Sequence, residues 1–129
     1  MMAKDIMTSE VVTVSPATTV KHIAGLLTRQ QISGAPVVDA QGRIVGIVSE
    51  ADIVAKRGGR VRDIMSKTVS SVGEDASIEE IAALMTAEKI NRVPVLRGKK
   101  LIGIVSRADL VAAVARGIHL TLSTPIYDL

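Results

Sequence analysis

The apolar positions of this chain follow one succession of patterns, and the chain runs through it twice. β-Branched residues at 11–14 predict a short strand. Val20, Ile23, Ala24 and Leu27 follow at helical spacing and predict a helix ending near Gln31. Pro36-Val37-Val38 predicts a strand opened by proline, because a residue without an N–H suits a strand's first position and not its middle. Residues 44–48 form a continuous apolar run fitted to a buried strand, and Ser49 then leads into a second helix over 50–56. From Asp63 the order returns. A strand is predicted at 69–72, and Ile78, Ile81, Ala82 and Met85 carry a helix ending near Lys89. A strand from Pro94, a buried strand at 101–105 and a helix over 107–116 complete the second round. Ser77 with Glu80 three residues on has the spacing of a capping box, which marks where the first helix of that round begins.

The agreement reaches the level of residues. Gly46-Ile47-Val48-Ser49-Glu50-Ala51-Asp52 returns as Gly103-Ile104-Val105-Ser106-Arg107-Ala108-Asp109, a shift of 57 positions. Residues 4–39 align with 62–97 at a shift of 58, and 42–55 with 99–112 at a shift of 57, giving 20 identities in 50 pairs. Unrelated chains of ordinary composition would agree at roughly one position in fifteen, so the chain is an internal duplication. The fold class is α/β (α+β), with the order β-α-β-β-α given twice. Neither half, with three strands and two helices, covers its own sheet, so the two are expected to pack face to face about a pseudo-twofold axis. The expected organisation is a first repeat at 4–56, a basic glycine linker at 57–61 and a second repeat at 62–116. The tail at 117–129 belongs to neither copy, and its apolar residues suggest docking on the body or on a partner subunit.

Composition narrows the chemistry. Only Tyr127 is aromatic among 129 residues, so a ring-shaped ligand would be held by aliphatic side chains. There is no cysteine, which excludes disulfides, thiolate metal sites and a cysteine nucleophile. The first ten residues carry Lys4, Asp5 and Glu10 and have no signal-peptide pattern, and no apolar run approaches the ~20 residues of a membrane span. A cytoplasmic location is the expectation. The net charge of +3 does not by itself imply nucleic acid. Lys56, Arg57, Arg60 and Arg62 make a local basic cluster around Gly58-Gly59, read as a solvated linker or as a docking patch for an acidic partner.

Ser49 with Asp52, and Ser106 with Asp109, have two readings. As an N-cap and an N3 acid, each pair would close the start of its helix without any ligand. The same geometry also suits a nucleotide. A helix start offers N–H groups to an anion, serine adds a hydroxyl donor, and an acceptor-only aspartate matches a ribose diol. No metal ligand set, nucleophile–base pair, P-loop or dinucleotide fingerprint is present, and no enzyme activity is expected. His22, beside Lys21 on a helix, is expected at the surface, and His119 has no ligand partner at metal spacing. Gly46 and Gly103 are expected to allow a close backbone approach.

The doubled Gly-x-x-Ser-x-x-Asp after a buried strand, Ala35-Pro36-Val37 with Val93-Pro94-Val95, and the Asp-Ile-Met openings at Asp5 and Asp63 resemble the cystathionine-β-synthase (CBS) domain. Two in tandem resemble a CBS pair, or Bateman module, over residues 4 to about 115. The resemblance implies a regulatory module binding adenine nucleotides (AMP, ADP or ATP) or adenosyl compounds in clefts between the repeats. It further implies that Asp holds the ribose and that the Ser three residues earlier helps to hold phosphate. Carried over by position, one cleft would use Met7, Thr8, Ile32, Ser33, Gly34, Pro36, Ser49 and Asp52. The other would use Met65, Ser66, Ile90, Asn91, Arg92, Pro94, Ser106, Arg107 and Asp109. No cofactor is implied beyond the nucleotide ligand, and the partners implied are a second copy, met through the helices as a homodimer, and an unidentified effector protein.

The clefts would differ. Arg92 stands where the family often carries a cation that reaches phosphate in the other repeat's cleft, whereas the first copy has Gly34 there. Glu50 of the first motif opposes phosphate, and Arg107 of the second favours it. Unequal occupancy is expected, with a lean toward the Asp52 cleft because of Arg92. The alternatives are a structural dimerisation module with empty clefts, or nucleic-acid binding through residues 56–62.

Overall fold

The computed structural model describes residues 1–117. The expected docking of the tail therefore lies, from residue 118 on, outside the described residues, as do His119 and Tyr127. The elements follow in the order α1 (Ala3–Ile6), α2 (Val20–Gln30), β1 (Gly34–Val38), β2 (Ile44–Ser49) and α3 (Glu50–Ala55). Then come α4 (Val61–Ile64), β3 (Val72–Gly73), α5 (Ile78–Glu88), β4 (Arg92–Arg97), β5 (Lys100–Ser106) and α6 (Arg107–Ala115).

Both long helices begin and end by the same local chemistry. Thr19 Oγ1 accepts from His22 N at 3.2 Å, and Ser77 Oγ from Glu80 N at 3.1 Å. Each hydroxyl thus satisfies one of the amides a helix start leaves unpaired. At the far ends Gln31 and Lys89 both turn left-handed at φ 55°. Ile32 N then reaches back to Leu27 O (3.1 Å) and Ile90 N to Met85 O (3.0 Å), which closes the last turn and fixes where Ile32 and Ile90 lie.

The chain forms two compact units, and they do not coincide with the two sequence repeats. One unit is Val11–Ser70 with Lys99–Leu101; the other is Met1–Glu10, Ser71–Gly98 and Ile102 onward. Each copy's body therefore holds the leading segment of the other. In the unit built on the first copy, Val61 and Ile64 of α4 are buried with Val14, Ile23, Leu27, Ala35, Val37 and Val48. In the unit built on the second copy, Ala3 and Ile6 of α1 are buried among Ile78, Ile81, Met85, Val93, Val95 and Val105. Backbone bonds fix both seats alike. Val61 N donates to Thr18 O (2.8 Å) and Arg62 N to Pro16 O (3.0 Å), while Ala3 N donates to Ala76 O (2.8 Å) and Lys4 N to Glu74 O (3.0 Å).

The prolines correct two expectations. Pro36 is the third of five residues in β1 and Pro94 the third of six in β4; neither opens its strand. Pro36 faces Ile47 of antiparallel β2, and Ile47 spends its own N–H and C=O on Ser66, so that position asks no donor of the proline. On its other side Pro36 O accepts from Val14 N (3.1 Å), and Val38 N donates to Val14 O (2.9 Å). The next rung of this parallel ladder would need a Pro36 N–H directed at Val12, and proline has none. The strand expected at 11–14 is accordingly reduced to a single bridge, Val14 with Val37. By the same reasoning at Pro94, the strand expected at 69–72 becomes the two residues of β3, parallel to Val95 and Leu96 of β4.

Candidate functional site

Each unit gathers the same kinds of side chain around the start of one helix. In the unit built on the first copy, Ser49 is the N-cap of α3. Its Oγ accepts from Asp52 N (3.3 Å), and Asp52 Oδ2 accepts from Ser49 N (2.9 Å) and from Ser49 Oγ (3.1 Å). The preceding loop closes on the same turn, for Glu50 N donates to Ser33 O at 2.9 Å and Gly34 pairs with Ser49. In the other unit Ser106 Oγ accepts from Asp109 N (3.1 Å), Asp109 Oδ2 accepts from Ser106 N (2.8 Å), and Arg107 N donates to Asn91 O (2.8 Å). Both aspartates thus cap their own helices, and the capping reading of the sequence describes this structure. Both aspartates are only partly buried.

The leading segments are distributed differently from the sequence expectation. Met7 and Thr8 were expected with Ser49 and Asp52; the structure seats them with Gly103, Ile104 and Asp109. Thr8 and Ile104 exchange backbone bonds (Thr8 N to Ile104 O 2.8 Å, Ile104 N to Thr8 O 2.9 Å), and Thr8 Oγ1 reaches Asp109 Oδ2 at 3.5 Å. Met65 and Ser66, expected with Asp109, instead lie on Gly46 and Ile47. Ile47 N donates to Ser66 O (2.9 Å) and Ser66 N to Ile47 O (2.8 Å). The cause is the buried anchoring of α1 and α4 in the opposite bodies. One group is therefore Ile32, Ser33, Gly34, Pro36, Ser49, Asp52, Met65 and Ser66. The other is Ile90, Asn91, Arg92, Pro94, Ser106, Arg107, Asp109, Met7 and Thr8.

The motif glycines make these seats possible. A Cβ on Gly46 would stand 2.7 Å from Met65 Sδ and 2.8 Å from Ser66 O; one on Gly103 would stand 2.5 Å from Met7 Sδ and 3.1 Å from Thr8 O. Only a residue without a side chain lets each leading strand lie flat on the motif strand.

The two aspartates differ in one partner. Lys56, one turn beyond Asp52, places Nζ 2.8 Å from Asp52 Oδ1 and 3.1 Å from Ile64 O. Burial pushes the Asp52 carboxyl upward, but Lys56 together with the Ser49 amide and hydroxyl outweighs it and holds the group below the usual carboxylate range. At the equivalent position of the second copy stands Ala113, fully buried. Sequence reasoning placed Lys56 only in the basic cluster. The signal it overlooked is the i, i+4 spacing from Asp52, present in one copy alone.

The remaining candidates are plainer. His22 is exposed, and among the described residues no group of His, Cys, Asp and Glu could hold a metal ion. No described helix is long and apolar enough to cross a membrane. In the basic cluster Arg60 Nη1 is bound to Ala17 O at 2.6 Å, and Lys56 is engaged as above. An open groove of about 430 Å³ lined by Thr13, Ser15, Thr18, His22 and Asp39 lies apart from the motif residues, and Arg43 already occupies Asp39.

Comparison with known proteins bears on the family and the fold. The CBS domain matches twice, over residues 3–59 and 61–116. An inosine-5'-monophosphate dehydrogenase of Methanocaldococcus jannaschii is 35% identical over 112 residues, which is 84% of this chain but 23% of that enzyme. Among solved structures, CBSX2 in complex with AMP superposes with a TM-score of 0.84 at 30% identity, covering 89% of this chain and 96% of that one. The CBS domain pair of protein MJ0100, in complex with 5-methylthioadenosine and S-adenosyl-L-methionine, gives a TM-score of 0.79 at 26% identity, covering 92% and 98%.

Proposed function

The chain belongs to the CBS-domain family, and from that premise we propose that it is a regulatory module sensing an adenine nucleotide or adenosyl compound at its two Ser–Asp motifs. The observation that carries this reading is the convergence, in each unit, of an acceptor-only carboxylate, a hydroxyl, a helix start and aliphatic side chains. The carboxylate of Asp52 or Asp109 accepts from the ribose hydroxyls. Ser49 with Ser66 nearby, or Ser106 with Thr8 nearby, donates to phosphate or to its substitute in an adenosyl compound. Ile32 and Ile90, with Met65 and Met7, supply the apolar surface for the base. The AMP complex of CBSX2 and the adenosyl complexes of MJ0100 support this ligand class.

The module performs no chemistry of its own. Its output is a change of shape or of partner affinity, set by how differently the ligand binds the two states. A thermal-shift panel of AMP, ADP, ATP, 5-methylthioadenosine and S-adenosyl-L-methionine tests the reading, since a ligand that binds only the folded protein raises its melting temperature. A rise with at least one compound is expected. No rise with any at millimolar concentration leaves the reading without support and favours a purely structural module.

The exposed valines favour self-association alongside ligand binding. Val54 on α3 and Val111 on α6 occupy equivalent motif positions and are 87% and 62% exposed. A second copy covering these helices, forming a homodimer, removes that apolar surface from water.

A further inference from the structure

The two motifs share their hydroxyl, carboxylate and helix start, but their carboxylates are not equally free. In the first motif both oxygens are spoken for: Oδ2 of Asp52 accepts from Ser49 N and Ser49 Oγ, and Oδ1 from Lys56 Nζ at 2.8 Å. Lys56 is itself steadied by Ile64 O, in the α4 segment buried against the same body. Asp52's side chain is only 13% exposed and that of Lys56 47%, so the carboxylate end of the pair is shielded while the ammonium end stays in reach of water. In the second motif Asp109 Oδ2 accepts from Ser106 N and, at 3.5 Å, from Thr8 Oγ1. Ala113 stands where Lys56 does in the first copy, and among the described residues no salt bridge reaches Asp109.

Resting on the ligand reading above, we infer that Lys56 is a built-in competitor for the ribose diol, which makes Asp109 the ready acceptor and Asp52 a latched one. A vicinal diol donates two hydrogen bonds and needs a carboxylate with an oxygen to offer. At Asp109 no cation among the described residues has to be displaced from that oxygen. At Asp52 the diol must first displace the ammonium group of Lys56. This ordering runs opposite to the lean that Arg92 alone suggests, because it acts on the ribose and not on the phosphate. Lys56 is thus a residue that sets the difference between the sites.

Adenosine is the suitable probe, since it carries the diol and no phosphate whose attraction to Lys56 would mask the effect. With Asp109→Asn in place, so that the Asp52 motif is the one tested, calorimetric titration of Lys56→Met is expected to bind adenosine about two- to fivefold more tightly than its Lys56 parent. Lys56→Gln is expected to do the same, which separates loss of charge from any packing effect of methionine. The gain is expected to vanish when Asp52 is also Asn. Unchanged or weaker binding in both Lys56 variants overturns the latch while leaving the ligand reading standing. Absence of saturable binding by adenosine and AMP to the unaltered protein overturns the ligand reading, and the latch with it.

Discussion

Thr8 and Asp109, 101 positions apart in the chain, meet through a 3.5 Å hydrogen bond from the threonine hydroxyl to the carboxylate. The bond is long and exposed, so it contributes little to stability. Its importance is positional, for it puts the leading segment of the first copy on the motif of the second. Thr8→Val is therefore expected to melt within about 1 kcal/mol of the unaltered protein and to weaken AMP binding at the Asp109 motif several-fold. Titration in an Asp52→Asn background reads this directly. An effect seen only in the Asp109→Asn background would return Thr8 to the Asp52 group.

Gly46 and Gly103 are expected to resist replacement even by alanine. The methionine thioethers can swing aside, but the carbonyl oxygens of Ser66 and Thr8 belong to paired backbone. A Cβ would lie 2.8 Å from the first and 3.1 Å from the second, so Gly46→Ala should cost more than Gly103→Ala, each within about 1–3 kcal/mol. Urea midpoints at constant slope measure both; equal, negligible losses would mean that the leading segments do not lie flat on the motif strands.

Asp52 gives the acid limb of stability a definite sign. Its carboxyl is held below the ordinary value by Lys56 and Ser49 in spite of burial. The folded form therefore binds its proton less readily than the unfolded chain. The stabilisation is fully present above about pH 4 and is lost as pH falls through the depressed folded value. Unfolding free energies of Asp52→Asn and the unaltered protein, measured from neutral pH into acid, should converge as pH falls. A constant gap across the range would remove Asp52 from the titration.

The exposed valines predict the assembly. The unaltered chain is expected to sediment as a dimer, and Val54→Asp with Val111→Asp as a monomer of unchanged melting temperature in the dilute limit. A monomeric unaltered chain would dismiss the helices as an interface.

Much of this architecture was legible because it is written in local chemistry. Ser49, Ser77 and Ser106 announced helix starts by the spacing of a hydroxyl and an acid, and each does accept from the third amide of its helix. The apolar runs at 44–48 and 101–105 lie within β2 and β5. Two things were not legible. The alignment of residues 4–39 with 62–97 holds equally whether each leading segment folds on its own copy or on the other, because the copies carry the same partners. Only the anchoring of Ala3 and Ile6 with Ile78, and of Val61 and Ile64 with Ile23, decides it. The rungs lost at Pro36 and Pro94 were likewise hidden, since sequence placed the prolines at strand ends and not against a parallel neighbour. Lys56 was in plain sight, but in a run of basic residues the one that matters differs from the others only by its distance from Asp52.

The most direct test of the account is calorimetric titration of AMP into the unaltered chain and into a folded Asp52→Asn, Asp109→Asn double variant. Saturable binding to the first, lost in the second at an unchanged circular-dichroism spectrum, is the predicted result. Equal binding to both, or none to the unaltered chain, would contradict the assignment of the two aspartates as ribose acceptors.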